Sequence, residues 1–419
     1  MLILLCCSFS IYASDNIDLN EIVSGFVSRH GDLTIDRIEI SGNKRTEKSV
    51  IYSLCNAGRG DRISEFDMQG LNNNLQGTEL FKKIEIAITE EYEKAVINIQ
   101  VREKWYLIPI PIIIKTSSMF LYGMYFADAN LLGYNKKLFM GGTYSNLGWK
   151  ASLGYIDPNI INSSFNGMLN FEIGDKIIEN AKTDGSIFEK FKSQSYKLKT
   201  IIGYKFTNKI NPSIIGQYYK AELRKTHDDY NIIPESVDYY SLGFRLSYID
   251  LKYEGYLNYG FKLRFEYLHG FPIDFEKGQN DSIAFMGKYS FPFLTRNLAS
   301  IDVNAGAGEL PTAMEVRMGG RFGFKTLPPQ QTSADNFYSL SLSHELVVFS
   351  FSWFNLTTVA FFEYGGLQMN KNSLCQFYGP GGGLRVYLKK VAIPAMGFDI
   401  AYNIETGNYE ISAAIGYVL

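Results

Sequence analysis

The chain has 419 residues and carries 41 Lys and Arg against 43 Asp and Glu, a formal net charge of −2, so no positive excess speaks for a nucleic-acid partner. Aromatic residues make up 15% of it, with 29 Tyr and 30 Phe, yet the mean hydropathy is only −0.09. Apolar residues diluted this evenly suit many strands with one greasy and one wet face, and the length suggests two or three domains.

The first fourteen residues, MLILLCCSFSIYAS, are a short apolar run ending in small residues. They read as a secretory signal cut near Ala13 or Ser14. No later stretch is apolar enough for a transmembrane helix. The remaining cysteines, Cys55 and Cys375, lie far apart and read as thiols rather than a disulfide framework. His30, His227, His269 and His344 are scattered without metal-ligand spacing, and neither metal nor cofactor is expected.

After a short segment at 15–32, residues 33–104 read as a small mixed domain. LTIDRIEISGN alternates through Leu33, Ile35, Ile38 and Ile40, a strand closed by Gly42. TEKSVIYSLCNAG is a helix with Thr46 as its N-cap, and SEFDMQGLNNNLQGT a second helix starting at Ser64. FKKIEIAITEEY and KAVINIQVREK alternate with period two and form a hairpin through Tyr92 and Glu93. The expected order is β-α-α-β-β.

Beyond Trp105 helical periodicity stops and alternating segments run to the C-terminus. YLNYGFKLRFEY places Leu257, Tyr259, Phe261, Leu263, Phe265 and Tyr267 on one face, with Lys262, Arg264 and Glu266 on the other. The alternation alone fits a soluble sandwich or a membrane barrel. Aromatics near strand ends, about sixteen strands and turns that alternate between short and long favour a transmembrane antiparallel β-barrel over 105–419. The expected short turns lie near 133, 207, 251, 293 and 389, the long ones at 175–194, 224–237, 269–281 and 309–335. A charge at the bilayer midplane of a lipid face costs about 2–4 kcal/mol, so Arg245, Lys262, Arg264, Arg385 and Asp399 belong in the lumen. GPGGGLR, 379–385, lacks the Lys-Ser/Thr ending and following helix of a phosphate loop. It reads as a glycine-permitted bend or close approach in the fourteenth barrel strand.

With these segments in place, the chain resembles the outer-membrane protein assembly and surface antigen family, of BamA and TamA type. ISGNKRT and ELFKKIEI resemble a POTRA domain, VREKWYLIPIP the junction to the barrel, and NLLGYNKKL and GYIDPNI the early barrel turns. The resemblance implies one POTRA domain, a sixteen-stranded barrel and a long inward loop between the eleventh and twelfth strands, where 309–335 falls. The family's loop carries Gly-Gly, three residues, then a hydrophobic-Arg-Gly-aromatic motif. Here Gly319 and Gly320 precede Arg321-Phe322-Gly323, and Phe324, Lys325, Thr326 and Leu327 stand at the motif. By position Lys325 replaces the arginine as a point charge without its planar fork, with Arg321 the alternative. The matching wall carboxylates are Glu345 and Glu363.

The implied function is insertion or folding of β-barrel proteins in the bacterial outer membrane through the seam between first and last strands, with the POTRA domain receiving clients in the periplasm. Expected partners are unfolded outer-membrane proteins, outer-membrane lipid, and periplasmic or lipoprotein factors. In the seam, Tyr106–Ile114 against Tyr409–Leu419, Pro109 and Pro111 offer no amide donor; they read equally as weakened pairing or as tolerance at a rim. Tyr409, Gly416 and Tyr417 are the seam residues of the last strand, Gly416 permitting a bend. The alternative is a two-partner-secretion-type transporter, for which Asp15–Val27 is barely long enough as a plug. A passive porin is disfavoured by the POTRA domain and inward loop. Glu345 and Glu363 lack the nucleophile and pocket that an enzyme reading needs.

Overall fold

The computed structural model describes residues 19–115, 119–181, 187–226, 235–254, 257–274, 278–293, 297–311, 316–318, 324–327, 332–334, 336–368, 374–389 and 396–415. The signal-peptide reading of residues 1–14, and Gly319, Gly320, Arg321, Gly416 and Tyr417, lie outside them.

The N-terminal domain contains α1 (Leu19–His30), β1 (Ile35–Ser41), α2 (Lys48–Leu54), α3 (Met68–Gly77), β2 (Phe81–Glu91) and β3 (Lys94–Glu103). Its sheet order is β1-β3-β2, with β1 parallel to β3 and β2 antiparallel to it. The β2–β3 hairpin turns on Tyr92 and Glu93, both with positive φ, the backbone a two-residue hairpin of this twist demands. The expected element order is present, with α1 added in front. Val23 and Phe26 of α1 are buried in the same core as Ile51, Leu71, Leu75 and Ile97, so the segment read as a short N-terminal stretch packs on this domain. Two helix starts differ from expectation. Thr46 does not cap α2, whose N-cap is Glu47 without a side-chain hydrogen bond. Helix α3 begins after Asp67, whose carboxylate accepts the Gly70 N–H at 2.8 Å, while Ser64 lies in a 3-10 turn.

The barrel follows at once: β4 (Leu107–Lys115), β5 (Phe120–Leu131), β6 (Lys136–Ser145), β7 (Gly148–Asp157), β8 (Phe165–Ala181), β9 (Ile187–Tyr204), β10 (Ile210–Lys225), β11 (Val237–Glu254), β12 (Leu257–Pro272), β13 (Asn280–Pro292) and β14 (Asn297–Gly308). The loop holds two three-residue strands, β15 (Val316–Met318) and β16 (Thr332–Ala334), paired with each other. The wall resumes with β17 (Asn336–Ser350), β18 (Phe354–Gln368), β19 (Leu374–Leu388), β20 (Met396–Asn403) and β21 (Asn408–Ile415). Strands β4–β14 and β17–β21 close into one antiparallel barrel of sixteen strands, β21 against β4. The stretch 175–194, expected as a long turn, is mostly strand: β8 and β9 pair from Phe165↔Tyr204 up to Ala181↔Ile187.

The wall is inside out relative to a soluble protein. Leu242, Phe244 and Leu246 point outward, with Phe244 48% exposed, whereas the Arg245 side chain between them is 15% exposed. Inside, Glu266 accepts Lys199 Nζ at 2.6 Å and Arg245 Nη2 at 2.6 Å. Charges shielded within and apolar side chains bared without are stable only when lipid covers the outer face. No helix among the described residues is long and apolar enough to cross a membrane; the strands cross instead. The N-terminal domain meets the end of the barrel bearing the 132–135 and 158–164 turns.

Candidate functional site: the lumen dock, the seam and the domain junction

The loop between β14 and β17 enters the lumen, and its described tip, Phe324–Leu327, docks on β18 and β19. Phe324 and Leu327 are buried with Leu367, Phe377 and Ala334. On a polar inner wall, Leu367 and Phe377 break the alternation, and they do so where the loop lands. Glycines make the space. A Cβ on Gly365 would sit 2.2 Å from the Phe324 ring, and one on Gly381 2.1 Å from the Phe361 ring. On Gly383 it would strike Asp399 and Arg385, and on Gly379 the Tyr402 carbonyl oxygen. GPGGGLR is thus a paved stretch of wall on which bulky groups lie flat.

The polar anchor is Glu363, 4% exposed. Its Oε2 accepts the backbone N–H of Lys325 at 2.8 Å and of Thr326 at 3.3 Å. Asn403 Nδ2 of β20 donates to the Thr326 carbonyl at 3.3 Å. The Lys325 ammonium lies 4.2 Å above the Phe361 ring centroid, a cation–π contact. Among the described residues it has no carboxylate within 4.0 Å. The Lys325 expectation placed its cation between two carboxylates; instead its amide is held by one of them, and its charge by an aromatic face. Phe361 shares the lumen face with Glu363 because it forms this platform.

Glu345 is elsewhere. It accepts the Thr357 hydroxyl at 2.6 Å. It pairs with Val359 while Glu363 pairs with Ser341, a four-residue offset, or about 14 Å at roughly 3.4 Å per residue. One loop cation cannot touch both. A buried arginine stands on the wall nearby: Arg385 Nη2 donates to Asp399 Oδ1 at 2.6 Å, with side chains 2% and 3% exposed. Its Nη1 also donates to the Leu384 and Phe398 carbonyls at 2.9 and 3.1 Å. A pair this deep is tolerated because its remaining donors find partners.

At the seam, the described pairing of β21 with β4 is Ala413↔Lys115, Ala414↔Ile114 and Ile415↔Ile113. Leu107, Pro109, Pro111 and Ile113 share the outward face of β4, while Ile112 and Ile114 are buried against Met119. Pro109 and Pro111 are two residues apart, so both missing donors fall on one strand edge. Tyr409, 67% exposed, lies against Tyr402 with ring centroids 4.6 Å apart.

The polar contacts that bind the domain junction were not foreseen from sequence. Thr46, 2% exposed, donates its N–H to Glu103 at 2.7 Å and accepts Asn130 Nδ2 at 2.9 Å. Asn130, 0% exposed, also accepts the Asn135 N–H at 2.8 Å. Glu47 N–H donates to the Gly133 carbonyl at 2.9 Å. Gly133 has φ +81°, and a Cβ there would meet the Arg45 carbonyl at 2.2 Å. Arg45 reaches Asp128 at 3.4 Å and stacks 5.0 Å over the Tyr106 ring. Burial tends to raise the Glu103 carboxyl pKa, but donors on Thr46, Arg45 and Lys44 outweigh it and hold the group below its ordinary value. Burial pushes the Cys55 thiol up to about 11, so it is not a reactive thiolate at neutral pH. Among the described residues Cys55 and Cys375 form no disulfide, and no metal-binding cluster occurs.

Residues 33–104 match the POTRA family model, described as the surface antigen variable number repeat. No curated protein matches the chain. Among solved structures it is similar to BamA from Haemophilus ducreyi lacking POTRA domains 1–3, at 13% identity and a TM-score of 0.58, over 91% of this chain and 84% of that one. It is similar to CdiB from Acinetobacter baumannii at 13% identity and a TM-score of 0.63, over 94% and 76%. CdiB from Escherichia coli matches at 12% identity and a TM-score of 0.62, over 92% and 76%. At these identities the likeness is one of fold.

Proposed function

We propose that this chain, an outer-membrane barrel protein of the BamA, TamA and surface-antigen type with its POTRA domain in the periplasm, is an assembly factor that folds or inserts β-barrel clients through its β4–β21 seam. The observation that carries the reading is the seam itself. A closed barrel offers no free edge except where its first and last strands meet. Among the described residues that meeting joins Ala413–Ile415 to Ile113–Lys115, and the β4 edge lacks the Pro109 and Pro111 donors. Such an edge can template an incoming strand by β-augmentation.

Secretion of a polypeptide through the lumen is the second reading. The CdiB-like fold admits it, but α1 packs on the POTRA core and the loop tip is tied to Glu363, so the pore route would have to displace the loop. A disulfide across the seam separates the two. Lys115 and Ala413 are directly opposed, at a spacing a disulfide can bridge. In the Lys115→Cys/Ala413→Cys double variant, reconstituted in vesicles with an unfolded β-barrel client, oxidation should abolish client insertion and reductant should restore it. Full insertion by the oxidised form would remove the seam from the mechanism.

A further inference from the structure

Where β3 hands over to β4, the POTRA domain and barrel enclose a cavity of about 710 Å³. Five cations line it, Lys44, Arg45, Lys82, Arg102 and Lys104, against the single carboxylate of Glu103. That carboxylate is occupied: it accepts the N–H groups of Arg45 and Thr46. Arg45 is engaged by Asp128 and Tyr106. Among the described residues, Lys44, Lys82, Arg102 and Lys104 have no carboxylate within 4.0 Å. Four unneutralised cations around one hollow repel each other, an arrangement that an anion relieves. Burial lowers the Lys104 pKa, with the Glu79 charge opposing, so this ammonium stands to gain most from an anionic neighbour.

The position of the cavity selects the anion. Trp105 and Leu107 line it too, and they are 67% and 51% exposed. Two residues apart, they continue the outward row of Pro109, Pro111 and Ile113 along β4. The hollow therefore opens onto the lipid face at the periplasmic end of the first barrel strand. A tryptophan there sits at headgroup depth, and the cations lie one step further from the hydrocarbon, where phosphates lie. We propose that this cavity binds the phosphate headgroup of an anionic phospholipid of the periplasmic leaflet, its chains running down the outer face of β4 beside Trp105 and Leu107. The assignment rests on the membrane position of the chain and not on the insertase reading. If clients do enter at the seam, the site places a bound lipid next to that gate.

The test uses the purified full chain in detergent, titrated with phosphatidylglycerol or with phosphatidylethanolamine of identical acyl chains and read by native mass spectrometry. The wild-type should retain phosphatidylglycerol several-fold more strongly. The Lys82→Gln/Arg102→Gln/Lys104→Gln variant should fall to the phosphatidylethanolamine level while keeping the heat-dependent gel mobility shift of a folded barrel. A control variant elsewhere on the same rim, Lys209→Gln/Lys389→Gln, should keep the preference. Equal retention of the two lipids, or a preference that survives in the triple variant, overturns the proposal. So does sn-glycerol 3-phosphate binding as tightly as phosphatidylglycerol, which would make the ligand a soluble phosphate rather than a lipid.

Discussion

At the residue scale, Glu363 and Lys325 look like partners in charge but hold the loop by different means, and the difference is measurable. Glu363 takes two backbone amides that no substitution at 325 removes. Glu363→Ala would leave both buried donors unmatched, at about 1.5–3 kcal/mol for each hydrogen bond to a charged group. Lys325→Ala would lose a cation–π contact of about 0.5–2 kcal/mol. Loss of Glu363 should therefore free the loop far more than loss of Lys325. Trypsin added to intact cells reads this directly, because Arg317 and Arg321 remain as cleavage sites in both variants. Rapid cleavage in Glu363→Ala and slow cleavage in Lys325→Ala is expected, both barrels staying heat-modifiable. The reverse order would return the anchoring role to the lysine ammonium.

At the scale of elements, the sequence spoke clearly where one force acted alone. The hairpin at Tyr92 and Glu93 and the inward turn of Arg245, Arg264 and Asp399 follow from period-two alternation and the cost of charge in lipid, while the loop's place between the eleventh and twelfth strands was implied by the resemblance. Reading failed where a second partner overrode a local rule. Thr46 had the chemistry of an N-cap, but its hydroxyl serves Asn130 of the barrel instead. Phe361, Leu367 and Phe377 interrupt a polar inner face; they are the floor on which the loop rests. Helix α1 was invisible as part of the POTRA core because its contacts are all distant in sequence. That contact predicts a specific loss. Phe26 is 5% exposed in the core, and Phe26→Ala should cost about 3–5 kcal/mol there. Limited proteolysis of the full chain should then digest the POTRA domain while the barrel fragment survives. A POTRA domain as resistant as wild-type would mean that α1 contributes nothing to it.

At the scale of the whole molecule, the question is how two units that fold by opposite solvation rules are kept in register. The POTRA domain buries grease and the barrel bares it, so neither core can extend into the other. What joins them is polar and almost dry: Asn130 links Thr46 on one side to the Asn135 amide on the other, next to the Glu47–Gly133 backbone bond. A buried network of this kind fixes orientation more than it adds net stability, because each group only recovers the hydrogen bond it lost from water. Its removal should accordingly change geometry before it changes folding. Asn130→Ala leaves the Thr46 hydroxyl and the Asn135 amide without their partner, at about 1–3 kcal/mol for each unsatisfied group, and both regain water if the POTRA domain swings away. Spin labels at Glu93 on the hairpin tip and Lys209 in a periplasmic turn should give a narrow distance distribution in the wild-type and a broad one in Asn130→Ala, with melting of each unit almost unmoved. A distribution equally narrow in both would show that the Asn130 contacts do not set the orientation, and that the covalent run from Lys104 to Leu107 suffices.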